Sequence, residues 1–305
     1  MKIPVIFGPT ASGKTSIAKE ILSRYPDVQF IVVDSRKIYR YMDIGTNKPP
    51  MHLRKHFSLL DIRNPDEYFS AADFVREAEE EIKRISASGK IPVFIGGTVL
   101  YLKAFFEGLF EAPPISKEVR SKLRERLKKE GIKKLYEELR SIDPEAAERI
   151  HPNDWFRILR ALEVYYQTGK PISQLQKKTV KKNPYMPVYL GVFRSREDLY
   201  ERINLRFDQW IQEGFLDEVK RLIAMGYDLR FPALNTIGYK ELILYLQSEF
   251  TLEKAIQVAK RRTRILARRQ IYFSRSLKPP VRWIPVEQGY DDFIKAFEDA
   301  LERVD

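Results

Sequence analysis

Ile3-Pro4-Val5-Ile6-Phe7-Gly8-Pro9-Thr10-Ala11-Ser12-Gly13-Lys14-Thr15 stands near the start of the sequence and decides the reading of everything after it. Its first part, Ile3 to Phe7, is a short apolar run that predicts a buried strand. Lys14 to Arg24 predicts a helix. Between them Gly8 to Thr15 fits G-x-x-x-x-G-K-[ST] in the strand-loop-helix setting that this motif requires. The glycines let backbone N–H groups curl around a phosphate, the helix N-terminus adds partial positive charge, and Lys14 supplies a full one. Thr15 is placed to bind a Mg²⁺ ion that bridges phosphates. The motif identifies a phosphate chain, not the molecule that carries it, and ATP is its commonest tenant.

A second apolar run, Phe30 to Val33, ends at Asp34. Strand, loop, helix, strand implies a parallel sheet, in which the C-terminal strand ends cluster. Asp34 therefore falls beside the glycine loop, as a magnesium-shell carboxylate or as a general base. Ser58 to Ile62 predicts a third strand. Ala71 to Ser86 predicts a helix stopped by Ser88-Gly89, and Ile91 to Ile95 a strand ending in Gly96-Gly97-Thr98. After Gly108 the texture changes. Pro113-Pro114 precedes charged helical patterns at Lys117 to Lys129, Ile132 to Leu139, Pro144 to Ile150 and Asn153 to Thr168, closed by Gly169-Lys170-Pro171. The polar stretch Gln174 to Pro187 leads to a strand-like run, Val188 to Phe193. Helical patterns return at Glu197 to Ala224 and Leu252 to Leu277, and Val281 to Ile284 predicts a last strand. The expectation is an α/β fold: a P-loop NTPase-like parallel sheet core flanked by helices, formed by 1–112 and 187–305, with an all-α insertion domain at 113–186.

The chain has 305 residues, 44% of them hydrophobic, enough for a substantial core. It has no cysteine and three histidines, which excludes disulfides and leaves no zinc cluster, so any metal must be held by oxygen. No run approaches the ~20 apolar residues of a membrane span and no signal-peptide pattern precedes the first strand, so a cytoplasmic protein is expected. Lys and Arg exceed Asp and Glu by 54 to 42. Between Thr251 and Lys278 nine basic residues face the single acid Glu253, so that segment carries +8 of the net +12. Arg261, Arg264, Arg268 and Arg275 recur at helical spacing, with Tyr272 between the last two. So self-repelling a face suits a phosphate backbone, which relieves the repulsion by counterion release. Arg157 and Arg160, three apart, share a helix face opposite an apolar stripe of Trp155, Leu159, Leu162 and Tyr166, read as core.

The run Asp34-Ser35-Arg36-Lys37-Ile38-Tyr39-Arg40-Tyr41-Met42-Asp43-Ile44-Gly45-Thr46-Asn47-Lys48-Pro49 closely resembles the signature of the tRNA dimethylallyltransferases, also called tRNA isopentenyltransferases or IPP transferases. The resemblance extends through Gly8 to Thr15, Gly96-Gly97-Thr98 with Tyr101, Arg157 to Val164 with Thr168-Gly169-Lys170-Pro171, Ile237-Gly238-Tyr239-Lys240, and Thr263-Arg264 with Arg268-Arg269-Gln270, in family order over nearly the whole chain. Lys37 stands where the family usually has Gln, and Asn47 where it usually has Ala. Leu266 and Arg268 replace the usual Tyr and Lys. The cysteine-containing zinc extension of eukaryotic relatives is missing, which fits a bacterial-type enzyme.

The resemblance implies that dimethylallyl diphosphate donates its five-carbon group to the exocyclic N6 amine of the adenine on the 3′ side of the tRNA anticodon, with diphosphate leaving. It implies a catalytic set of Asp34 as base, Arg206 from Arg202-Ile203-Asn204-Leu205-Arg206-Phe207-Asp208 at the diphosphate, and Thr98, with Thr10 as a further hydroxyl donor. Gly8, Pro9, Thr10, Ala11, Ser12, Gly13, Lys14 and Thr15 hold the donor diphosphate, with Mg²⁺ on Thr15. The tRNA-facing set is Asp34, Ser35, Arg36, Lys37, Thr98, Arg120, Phe156, Arg157, Ile158, Leu159, Arg160, Asn235, Thr236, Ile237, Gly238, Tyr239, Lys240, Arg268, Arg269, Gln270 and Arg275, in a monomer without a membrane partner. An ATP-dependent small-molecule kinase would use the loop and Asp34 but leave the basic helix idle. An adenylate prenyltransferase would need neither the insertion nor the arginine stripe, and a non-catalytic RNA-binding module would need neither the loop nor Asp34.

Overall fold

The structure of the protein, a computed structural model, describes residues 1–108, 115–178 and 183–302. The Pro113-Pro114 pair expected to open the insertion lies outside the described residues. The chain divides into two compact units, Met1–Phe106 with Asn183–Asp305, and Glu107–Lys182.

The first unit begins with β1 (Lys2–Phe7), α1 (Lys14–Arg24), β2 (Val28–Val33), the two-residue β3 (Phe57–Ser58), α2 (Ala71–Ala87), β4 (Ile91–Gly96) and α3 (Val99–Phe106). The second unit holds α4 (Lys117–Ile142), α5 (Pro144–Arg149), α6 (Trp155–Thr168) and α7 (Ile172–Lys178). The first unit then resumes with β5 (Met186–Phe193), α8 (Arg196–Gln212), α9 (Phe215–Ala224), α10 (Tyr239–Leu246), α11 (Leu252–Ser274), β6 (Arg282–Pro285) and α12 (Asp291–Leu301).

The six strands form one parallel sheet in the order β3-β2-β4-β1-β5-β6. Both faces are covered, and for that reason the strands read as unbroken apolar runs. Ile3, Val5, Phe7, Ile31, Val33 and Phe94 point to one core with α2, α3, α9 and α10. Ile6, Phe30, Val32, Val93 and Ile95 point to the other with α1 and α12. Phe94, wholly buried, meets Phe105 edge-on at 4.9 Å and Phe74 at 6.2 Å.

The strand expected at Ser58 to Ile62 stops after Ser58. Leu59 and Asp61 take left-handed backbone angles (φ 62° and 55°), which turn the chain out of the sheet. The stretch from Gln174, expected to be a polar connection, begins inside α7. In that second unit the buried Asp143 carboxylate accepts the Ala146 N–H and the Ser173 N–H, both at 2.9 Å, and so caps α5 and anchors the start of α7. Gly131 (φ 78°) breaks α4 between the two expected helical patterns. The core of this unit is Leu123, Leu135, Leu139, Ala146, Ala147, Ile158, Leu159, Ala161 and Leu162.

Candidate active site

Strand register assembles the site. Phe7 and Val33 both align with Gly96, so β1, β4 and β2 end level and release the glycine loop, the Gly97-Thr98 turn and Asp34 side by side. The Gly8 N–H donates to the Gly96 carbonyl (3.2 Å), and the Gly97 and Thr98 N–H groups donate to the Val33 carbonyl (3.2 and 3.3 Å). Above them lies a cavity of about 360 Å³ lined by the loop residues Thr10, Ala11, Gly13, Lys14 and Thr15, by Asp34 to Lys37, Thr98, Arg202 and Arg206, and by Asn235 to Ile237. Trp210, Thr263 and Leu266 also line it and were not expected there.

The loop's backbone is held from behind. Ala11 (φ 67°) and Gly13 (φ 102°) take left-handed angles that curl it. Arg202 Nε donates to the Ala11 carbonyl (3.0 Å), and Arg194 Nε, whose guanidinium also pairs with Asp198 (2.8 Å), donates to the Ser12 carbonyl (2.8 Å). Lys14 Nζ folds back onto the Gly8 and Pro9 carbonyls at 2.8 and 2.7 Å. Ser12 is fully buried and its hydroxyl has no hydrogen-bond partner among the described residues.

The cavity is poorer in acid than in base: Lys14, Arg36, Lys37, Arg202 and Arg206 face it against Asp34. Burial, with Lys37 and Arg206 nearby, brings Lys14 down to about 7 although Asp34 opposes the shift. Burial brings Lys37 down to about 8, again against Asp34, and burial beside Arg202 brings Arg206 to about 10. The Arg206 guanidinium makes no hydrogen bond or ion pair with a described residue. Crowded, desolvated cations of this kind are an anion site, because a bound anion returns each of them toward its ordinary basicity.

Asp34 Oδ1 accepts the N–H groups of Arg36 (2.8 Å) and Lys37 (3.3 Å), which fixes the carboxylate at the cavity wall. The following loop is held by Glu218, a buried carboxylate on α9 that the sequence reading missed. It accepts the Asp43, Ile44 and Gly45 N–H groups (3.0, 2.8 and 3.4 Å) and the Tyr239 hydroxyl (2.6 Å). Tyr239, expected to face tRNA, is therefore an interior side chain. Gln270, also expected there, turns inward: it accepts the Thr10 N–H at 2.8 Å and donates to the Gly97 carbonyl at 3.0 Å. Arg264 is likewise engaged, donating to Asn204 (2.6 Å) over the Tyr200 ring. Arg261, Arg268, Arg269 and Tyr272 remain exposed on α11, as does Arg275 at its C-cap. Asn235 is exposed, Ile237 and Lys240 are partly so, and Thr236 and Gly238 are buried.

In the second unit, Arg120 and Arg160 converge on Glu163 (3.9 and 3.3 Å), and Arg157 pairs with Asp154 (3.2 Å). Ile158 and Leu159, expected at the tRNA surface, are core residues because they lie on the helix face packed against α4. The expected core stripe is corrected in the other direction. Leu159 and Leu162 are buried, but Trp155 and Tyr166 are about half exposed, and Phe156 beside Trp155 is more so at 67%.

Residues 37–277 match the IPP transferase family. The tRNA dimethylallyltransferase of Thermotoga maritima is 45% identical over 285 residues, 92% of each chain. That of Geobacter sulfurreducens is 41% identical over 293 residues, 95% of this chain and 94% of its own. Among solved structures, the tRNA isopentenylpyrophosphate transferase of Bacillus halodurans is 35% identical with a TM-score of 0.69, covering 99% of this chain and 95% of that one. A eukaryotic dimethylallyltransferase acting on tRNA is 26% identical with a TM-score of 0.81, covering 98% and 77%. A parallel sheet with level strand ends, a curled phosphate loop, and likeness over almost the full length lead to one conclusion: the chain belongs to the IPP transferase family.

Proposed function

We propose that this protein is a tRNA dimethylallyltransferase, which moves the dimethylallyl group of dimethylallyl diphosphate onto N6 of the adenine 3′ to the anticodon. The observation that carries the reading is the single cavity joining a phosphate loop, unpaired Arg206 and a fixed carboxylate, Asp34. The loop amides, Lys14 and Arg206 bind the diphosphate. The adenine, turned out of its loop, enters toward Asp34. As the bond from N6 to the first carbon of the donor forms, the bond from that carbon to the diphosphate oxygen breaks. The N6 proton passes to Asp34. The growing charge on the leaving diphosphate meets cations already in place, so little reorganisation is required. Thr10 and Thr98 offer hydroxyls to the diphosphate or the base.

The donor set suits a magnesium ion brought in with the diphosphate. Thr15 lines the cavity, and among the described residues no cluster of three His, Cys, Asp or Glu would hold a metal without the phosphates. When bound, the ion neutralises charge on the leaving group. The exposed cations of α11, with Arg120, Arg157, Arg160 and the exposed ring of Phe156, supply the phosphate and stacking contacts for tRNA. A tRNA substrate supports a cytoplasmic enzyme, and among the described residues no helix is long and apolar enough to cross a membrane.

Incubation with Mg²⁺, labelled dimethylallyl diphosphate and unmodified tRNA, with AMP and ATP as parallel substrates, tests the reading. Label in tRNA and none in AMP is the expected result. Label in AMP would indicate an adenylate prenyltransferase, and phosphoryl transfer from ATP without prenylation a kinase.

A further inference from the structure

Gln270 takes no part in the steps above, yet it bridges two walls of the cavity. Its Oε1 accepts the Thr10 N–H at 2.8 Å and its Nε2 donates to the Gly97 carbonyl at 3.0 Å. A carboxamide offers an acceptor and a donor side by side, which this pair of partners requires. Room for it exists only because residue 97 has no side chain: a Cβ there would stand 2.5 Å from Gln270 Nε2 and 2.7 Å from the Gly8 carbonyl oxygen. With the Gly8 N–H on Gly96 and the Gly97 N–H on Val33, the amide completes a set of bonds joining the ends of β1, β2 and β4 to α11. Thr10, which carries one of the bonded atoms, and Thr98, which adjoins the other, both line the cavity. The bonded amide also stands next to Arg269 and two residues from Arg268, both exposed on the same helix.

We propose that Gln270 is a positioning residue for the donor diphosphate: it fixes Thr10 relative to Thr98 and ties that geometry to the cationic helix. The proposal rests on the prenyl-transfer reading. It does not require Gln270 to touch RNA.

Two variants test it. Gln270→Met keeps length and shape but neither bond. Gln270→Glu keeps the acceptor and sets an oxygen against the Gly97 carbonyl. For Gln270→Met, kcat/KM for dimethylallyl diphosphate should fall about tenfold, and competitive inhibition by inorganic diphosphate should weaken in parallel, while tRNA affinity stays within about twofold. For Gln270→Glu, activity relative to wild type at each pH should recover as pH falls and the carboxyl protonates, because the acid O–H restores the missing donor. Unchanged donor kinetics and diphosphate affinity in both variants would overturn the proposal. So would a loss confined to tRNA affinity, or a loss that follows melting temperature with no pH recovery. Inorganic diphosphate binding measured directly by titration calorimetry, expected to weaken in Gln270→Met, needs no turnover and so still judges Gln270 if the wild type fails to prenylate tRNA.

Discussion

Asp34 is the residue on which the chemistry turns. Its carboxylate is oriented by two backbone N–H groups and borders a cavity otherwise dominated by cations. Asp34→Asn keeps the shape and removes the proton acceptor, so single-turnover prenylation should slow by ~10²-fold or more with tRNA affinity nearly intact. An unchanged rate would remove Asp34 from the mechanism. Lys37, where the family usually has Gln, makes a pH-dependent prediction. With its basicity lowered to about 8 by burial, it is cationic below that pH and neutral above it. Affinity for inorganic diphosphate should therefore weaken as pH rises through this range, and Lys37→Gln should remove that component. Titration calorimetry across the range would show it, and identical profiles in both proteins would mean that Lys37 does not face the anion. Lys14, Thr15 and Asp34 were legible in the sequence because the motif fixes their spacing from strand ends. Arg194, Glu218 and the inward turn of Gln270 were not, because their partners lie far away in sequence and appear only after packing.

At the scale of elements, the phosphate loop and α11 divide the work. The loop's shape comes from left-handed angles at Ala11 and Gly13 and from arginines that take up its carbonyls. Along α11 and its C-cap the basic stripe splits into an engaged residue, Arg264, and exposed ones, Arg268 and Arg275. Arg268→Ala combined with Arg275→Ala should lower the slope of log affinity against log salt by about two, and Arg264→Ala alone should leave it nearly unchanged. Filter-binding titrations over a range of salt would decide, and a double variant with the wild-type slope would mean that this face does not meet phosphate. The central strands were readable because both sheet faces are buried. β3 was overread because Leu59, Leu60 and Ile62 continue an apolar pattern whose backbone turns away. α7 was missed because its start is set by Asp143, a partner distant in the chain.

Across the whole molecule, the sheet closes only when chain from both sides of the helical unit comes together. Lys2 to Phe7 pairs along Met186 to Gly191, and Asn183 Nδ2 donates to the Phe105 carbonyl at 2.7 Å. The two ends of the first unit therefore lie side by side. Replacing 107–182 by a short flexible linker should leave a cooperatively folding domain that still binds inorganic diphosphate, with tRNA affinity reduced ~10-fold or more. Calorimetric melting and tRNA titration would check both halves of that expectation, and retained tRNA affinity would remove the helical unit from recognition. The interruption of a parallel α/β pattern by a purely helical stretch was visible in the sequence. Its limits were harder to read, because compactness, rather than composition, draws them at Glu107 and Lys182.

The most direct measurement is identification of the product nucleoside. After incubation with Mg²⁺ and dimethylallyl diphosphate, the tRNA would be digested and each fragment examined by mass spectrometry. The account predicts one dimethylallyl group in place of a hydrogen on N6 of the adenosine following the anticodon, and its disappearance with Asp34→Asn. Modification elsewhere in the tRNA, or none while the donor is still consumed, would contradict it.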